Sequence, residues 1–182
     1  MPDALQFGTM LLVEFEAHSL WYETAFTLTA AALKNGIVTD YHSFQHPPND
    51  IRLALGKIGV DPKKMQDEGT LVIIDSHTIQ TGLGVPEIQL EQFDYLSRTL
   101  KVEDWSIAVA KLLKARAIPA RLHIDDNISV LSRYNQESAI LDFYRTRIFP
   151  GARAAGIAFL NAFVTGVIQA RSINSSKLCL TV

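Results

Sequence analysis

Phe44-Gln45-His46-Pro47-Pro48 opens a segment that continues through Leu55-Gly56-Lys57-Ile58-Gly59-Val60-Asp61 and closes on Asp67-Glu68-Gly69-Thr70-Leu71-Val72-Ile73-Ile74-Asp75-Ser76. Proline is tolerated in the first turn of a helix, so Pro47-Pro48 predicts a helix running towards Lys57. The closing run is apolar without alternation, which is the pattern of a strand buried on both faces. A helix delivered into such a strand is half of a βαβ unit.

The same alternation extends in both directions. Short apolar runs recur at 9–15, 37–44, 70–75, 121–124 and 156–164. Between them, Ala25, Leu28, Ala32 and Leu33 share one helical face, as do Trp105, Val109 and Leu112, and Ile140, Tyr144 and Ile148. Asp104 and Asn135 are expected as N-caps of the last two helices. Residues 79–86, with Gly82, Gly84 and Pro86, read as loop. The expectation is one α/β domain over residues 1–182, in three layers around a mainly parallel sheet. After the fifth run there is room for a short connection and one edge strand, so further C-terminal edge strands are expected to be missing.

Composition narrows the functions. The 182 residues are 48% hydrophobic and 20% charged, with 17 Lys+Arg against 19 Asp+Glu and a net charge of −2. That balance supplies no bulk attraction to nucleic acid or anionic membrane. The lone Cys179 cannot build an intrachain disulfide or a cysteine-based zinc site, and a reducing cytoplasm is expected. The uncharged stretch 154–170 falls short of the roughly 20 apolar residues of a membrane span. It reads as a buried strand with its flanks.

Three segments in order resemble the KaiC-like branch of the RecA superfamily of P-loop ATPases. They are Leu11-Leu12-Val13 with the helix ending Leu33-Lys34-Asn35-Gly36, the stretch from Tyr41 to Ser76, and Arg121-Leu122-His123-Ile124-Asp125-Asp126-Asn127-Ile128-Ser129-Val130-Leu131. The third is also similar to the ATPase-like accessory subunits of the Elongator complex. The resemblance implies a RecA-like fold and places a phosphate-binding loop at Phe15-Glu16-Ala17-His18-Ser19-Leu20-Trp21-Tyr22. A working loop needs glycines, whose backbone N–H groups close around phosphates, and a Lys-Thr/Ser pair for the outer phosphates and Mg²⁺. Phe15 and Leu20 stand at the glycine positions, Trp21 at the lysine and Tyr22 at the hydroxyl. Nucleotide binding in the family manner is therefore not expected, and no cofactor is.

The catalytic-glutamate position of the resemblance falls on Gln45 and His46; Gln cannot take a proton from water at neutral pH. Its metal-associated Asp is Asp125, followed by Asp126, and both are expected to cap the strand end through backbone N–H groups. His18, His46 and His77 with Asp75 could meet around a metal, but no two share a ligand spacing, so no metal is assigned. Trp21, Tyr22, Arg145, Arg147 and Arg153 are interface candidates. The reading is a non-catalytic pseudo-ATPase, a scaffold or regulatory subunit that partners itself or a RecA-like paralogue. The alternatives are an ATP-binding protein with a remodelled site and an RNA-binding Elongator-like subunit.

Overall fold

Each expected strand forms, within a residue or two at either end. The computed structural model describes residues 8–81, 94–96, 99–104, 107, 119–167 and 178–181. Strand β1 (Met10–Phe15) leads into helix α1 (Trp21–Lys34), then β2 (Thr39–Ser43), α2 (Pro48–Lys57), α3 (Pro62–Asp67) and β3 (Leu71–Asp75). A 3₁₀ turn (Thr78–Thr81) precedes β4 (Asp94–Leu96) and β5 (Leu122–Asp125). A second 3₁₀ segment (Ile128–Arg133), α4 (Glu137–Phe143), a π-helical turn (Tyr144–Ile148) and α5 (Phe149–Ala154) lead to β6 (Ala158–Val164) and β7 (Leu178–Thr181).

The strands form one sheet in the order β4-β3-β2-β5-β6-β1-β7, and every pairing is parallel. The edge strand for which the sequence left room after the fifth run is β7, which pairs alongside β1 with Leu11 opposite Leu178. Helix ends are set by glycine. After α1, Gly36 takes φ 71°, and its N–H and that of Ile37 close on Leu33 O and Ala32 O. Gly69 (φ 70°) closes α3 on Gln66 O and Met65 O in the same way. A side chain there would resist the left-handed backbone, so these glycines turn the chain directly into β2 and β3.

Alternate residues of each strand supply two cores. On one face Val13, Phe15, Tyr41, Ile73 and Ile124 pack against Trp21, Ala25 and Leu33 of α1 and Ile51 and Leu55 of α2. On the other, Met10, Leu12, Phe159 and Phe163 meet Ile128, Leu131, Ile140, Phe143, Tyr144 and Phe149.

Three expectations need correction. Leu28 is exposed and Thr29 is buried in its place, because its Oγ1–H donates back to Ala25 O at 2.8 Å. Asn135 does not cap α4, whose N-cap is Gln136; its Oδ1 instead accepts from Val102 N and its Nδ2 donates to Leu100 O and Leu131 O. Asp104 lies within helical residues 102–104 rather than before them. Trp105, Val109, Leu112 and residues 82–86 lie outside the described residues.

Candidate functional site

Strands β1, β2, β3 and β5 end on one edge of the sheet, where parallel α/β folds place their sites. Residues 16–20 cross that edge as a turn closed by Ser19 N on Glu16 O at 2.9 Å. A phosphate nest alternates right- and left-handed backbone. Among the described residues no non-glycine residue is left-handed, so the turn has no such concavity.

The side chains at the turn close in on the protein. Trp21 is 1% exposed; its Nε1–H donates to Asp126 O at 2.7 Å and its ring stacks on Phe15, centroids 5.7 Å apart. Trp21 is thereby removed from the interface candidates, since a ring packed beneath its own turn presents nothing to a partner. Tyr22 is half-buried, edge-on to Phe15 and His46, and its hydroxyl accepts from Asn127 Nδ2 at 3.2 Å. Burial, then the nearby Asp126, pushes its phenol up to about 12. Glu16, Ala17, His18 and Leu20 remain exposed.

The two aspartates after β5 divide their roles. Asp126 meets the expectation of a backbone cap: its Oδ1 accepts from Phe44 N at 2.8 Å and its Oδ2 lies 3.2 Å from Ser43 Oγ. Burial dominates over these bonds and raises its carboxyl to about 7. Asp125 departs from that expectation, because its carboxylate takes side-chain donors. Its Oδ1 lies 2.8 Å from His42 Nδ1 and 3.1 Å from His123 Nε2, and its Oδ2 accepts from Tyr144 OH at 3.0 Å. Burial alone would raise its pKa, but the paired imidazoles outweigh it and hold the carboxyl well below the ordinary range. Burial lowers His42, so that ring is neutral. Its Nδ1–H donates to Asp125, and Nε2 accepts from Ser76 Oγ at 2.7 Å. Ser76, His42 and Asp125 have the composition of a nucleophilic triad, but all three are at 0% exposure and Ser76 offers no surface to a substrate.

Of the remaining candidates, Gln45 is exposed, and His46 packs on Tyr22 and Phe26 with its pKa lowered by burial. Asp75 Oδ1 accepts from His77 N and Thr78 N, both at 2.9 Å. His18, His46, His77 and Asp75 form no metal-ligating group; among the described residues, the cluster with that capacity is His42, His123 and Asp125, whose ligand atoms lie within 4.8 Å of one another. Arg145, Arg147 and Arg153 are exposed on the π-turn and α5.

The buried cluster was hidden by its setting. Asp40 and His42 on β2, and His123 and Asp125 on β5, recur every second residue within strands otherwise legible as apolar. That period-two recurrence of polar types is the signal that could have found them.

A wholly parallel sheet with α1 and α2 on one face and α4 and α5 on the other is a three-layer α/β domain, and its solved structural neighbours show the fold to be RecA-like. A KaiC-like protein from the archaeon Pyrococcus horikoshii OT3 superposes with TM-score 0.60 at 14% identity, over 87% of this chain and 62% of that one. An uncharacterized P. horikoshii protein, solved in complex with an unknown peptide, gives 0.65 at 19%, over 92% and 72%. The flagellar accessory protein FlaH from Methanocaldococcus jannaschii gives 0.62 at 14%, over 92% and 66%. The chain thus spans less than two-thirds of the KaiC-like protein and of FlaH. No family profile and no curated protein sequence matches it. Among the described residues no helix is long and apolar enough to cross a membrane.

Proposed function

We propose that this chain is a non-catalytic, intracellular member of the KaiC-like RecA fold, serving as a scaffold, regulatory or partner subunit of an oligomeric assembly. One observation carries the reading. At the position where the resemblance puts a phosphate-binding lysine stands Trp21, buried, stacked on Phe15 and bonded to Asp126 O. The space next to the turn is filled by the chain's own aromatic rings. The turn brings no lysine and no left-handed residue, and Glu16 adds negative charge beside any polyanion. With nucleotide chemistry unsupported, the surfaces remain as the useful part of the fold. Tyr22 and the exposed Arg145, Arg147 and Arg153 are residue types suited to contacts with another copy or a RecA-like paralogue. The neighbour solved with a peptide is in keeping with a partner-holding role.

Thermal unfolding with and without ATP–Mg²⁺ tests this. A ligand at 100 times its Kd stabilises by about 2.7 kcal/mol, several degrees for a chain of this size. No shift is expected, and a saturable rise in Tm would establish the nucleotide-binding alternative. A salt-dependent shift of tRNA would establish the RNA-binding one.

A further inference from the structure

The other face of the sheet carries a polar group that the proposed role does not use. Register places His42, Asp125, Asn161 and Leu12 side by side across β2, β5, β6 and β1, so their side chains share that face. Two residues earlier, Asp40 and His123 pair in the same way. All of the polar members are 3% exposed or less. Asn161, at 1%, has neither Oδ1 nor Nδ2 hydrogen-bonded. An amide left wholly without partners inside a core is costly, and such a group points to a missing ligand.

The first ring of the cluster has the composition of a metal centre, two imidazoles and a carboxylate. The second ring is in place for His42, and a carboxylate stands near His123 beyond hydrogen-bond distance. A metal-bound imidazole normally donates its other N–H to a fixed acceptor. His42 presents Nδ1 to Asp125 Oδ1, and its Nε2 lies 2.7 Å from Ser76 Oγ. His123 presents Nε2 to the same oxygen, and its Nδ1 lies 3.8 Å from Asp40 Oδ2. Tyr144 OH holds Asp125 Oδ2 and leaves Oδ1 facing both rings. Ligand atoms around a four-coordinate zinc are about 3.4 Å apart, given bonds near 2.1 Å. The separations of 2.8 Å and 3.1 Å fall a few tenths of an ångström short of that and the whole set lies within 4.8 Å, so side-chain rotations that bring all three ligand atoms to a common spacing would admit an ion.

We propose that His42 Nδ1, His123 Nε2 and Asp125 bind one divalent transition metal, zinc being the best match to the donors, with Asn161 Oδ1 beside Asp125 as the fourth ligand. Loading moves the His42 proton from Nδ1 to Nε2, so that Nε2–H now donates to Ser76 Oγ. It likewise leaves the His123 proton on Nδ1, facing Asp40. With every ligand buried, the ion enters as the domain folds and serves as a structural tie between β2, β5 and β6. The site does not depend on the pseudo-ATPase reading, since neither Trp21 nor the turn contributes to it.

Elemental analysis of the purified full chain, and thermal unfolding after EDTA treatment with zinc then added back, test the site. One zinc per chain is expected, with a gain in Tm of about 5–10 °C when the free ion is at 100 times its Kd. Cobalt in its place should give the intense visible bands of a four-coordinate site. His123→Gln, shown folded by circular dichroism, should lose the metal and the gain, whereas His18→Gln in the exposed turn should keep both. A wild-type chain that holds no stoichiometric metal and gains nothing from zinc or cobalt would overturn the proposal without reference to any variant. So would a folded His123→Gln that still binds one zinc equally well.

Discussion

Removing the indole at position 21 probes the packing on which the functional reading stands. Trp21 is 1% exposed, so Trp21→Ala withdraws an aromatic burial of about 200 Å², worth about 5 kcal/mol at 25 cal/mol per Å². Partial collapse of the site brings the expected loss to about 3–5 kcal/mol. Trp21→Phe keeps a ring against Phe15 but removes the donor to Asp126 O, at a cost of about 1–2 kcal/mol. Urea denaturation measures both, with unchanged m-values showing that the unfolded reference is the same. A loss under about 1 kcal/mol for Trp21→Ala, or a Phe variant as damaged as the Ala one, would refute the packing argument. The emptied space should still not bind ATP–Mg²⁺, because the turn brings neither lysine nor left-handed backbone. If Trp21→Ala gained saturable ATP affinity, Trp21 would be a plug in a competent pocket, and the chain a self-inhibited ATP-binding protein.

Other consequences can be measured separately. Burial depresses the folded pKa of His46 below its ordinary 6.5, so the unfolded chain binds more protons just below that pH. Its contribution to stability is complete above pH 6.5 and is lost as pH falls through the folded value; an NMR titration should place the imidazole below 6.5, and His46→Gln should lessen this loss. Tyr22 should ionise near 12 in an ultraviolet titration of the folded protein, a transition missing from Tyr22→Phe; ionisation near 10 would contradict its burial beside Asp126. In EDTA-treated protein Asn161→Val should raise stability by about 1–2 kcal/mol, because two unpartnered polar groups leave the core. Light scattering at micromolar concentration should show an oligomer larger than 20.2 kDa; a monodisperse monomer would leave only a complex with another protein.

What could be read from the chain followed from how strongly each signal is local. The unbroken run Leu71–Asp75 and the proline-led helix Pro48–Lys57 carry their own pattern, and each formed as expected. The turn replacing a phosphate loop was legible for the same reason, since the residue types at 15–22 rule on their own backbone and charge. The fate of Trp21 was not legible: whether an indole faces a partner or its own core depends on Asp126, 105 residues away. Asp125 shows the limit more sharply. Its place beside Asp126 in sequence predicts the same backbone capping, yet strand alternation sends the neighbours to opposite faces. Asp126 meets Phe44 N and Ser43 Oγ, while Asp125 meets His42, His123 and Tyr144. Only the strand order, with β5 between β2 and β6, brings those partners together and sets Asn161 beside them. The same alternation separates the two proposals physically. One face of β5 supports the filled turn and the other carries the candidate metal ligands, so damage to the first should leave zinc binding in any variant that still folds.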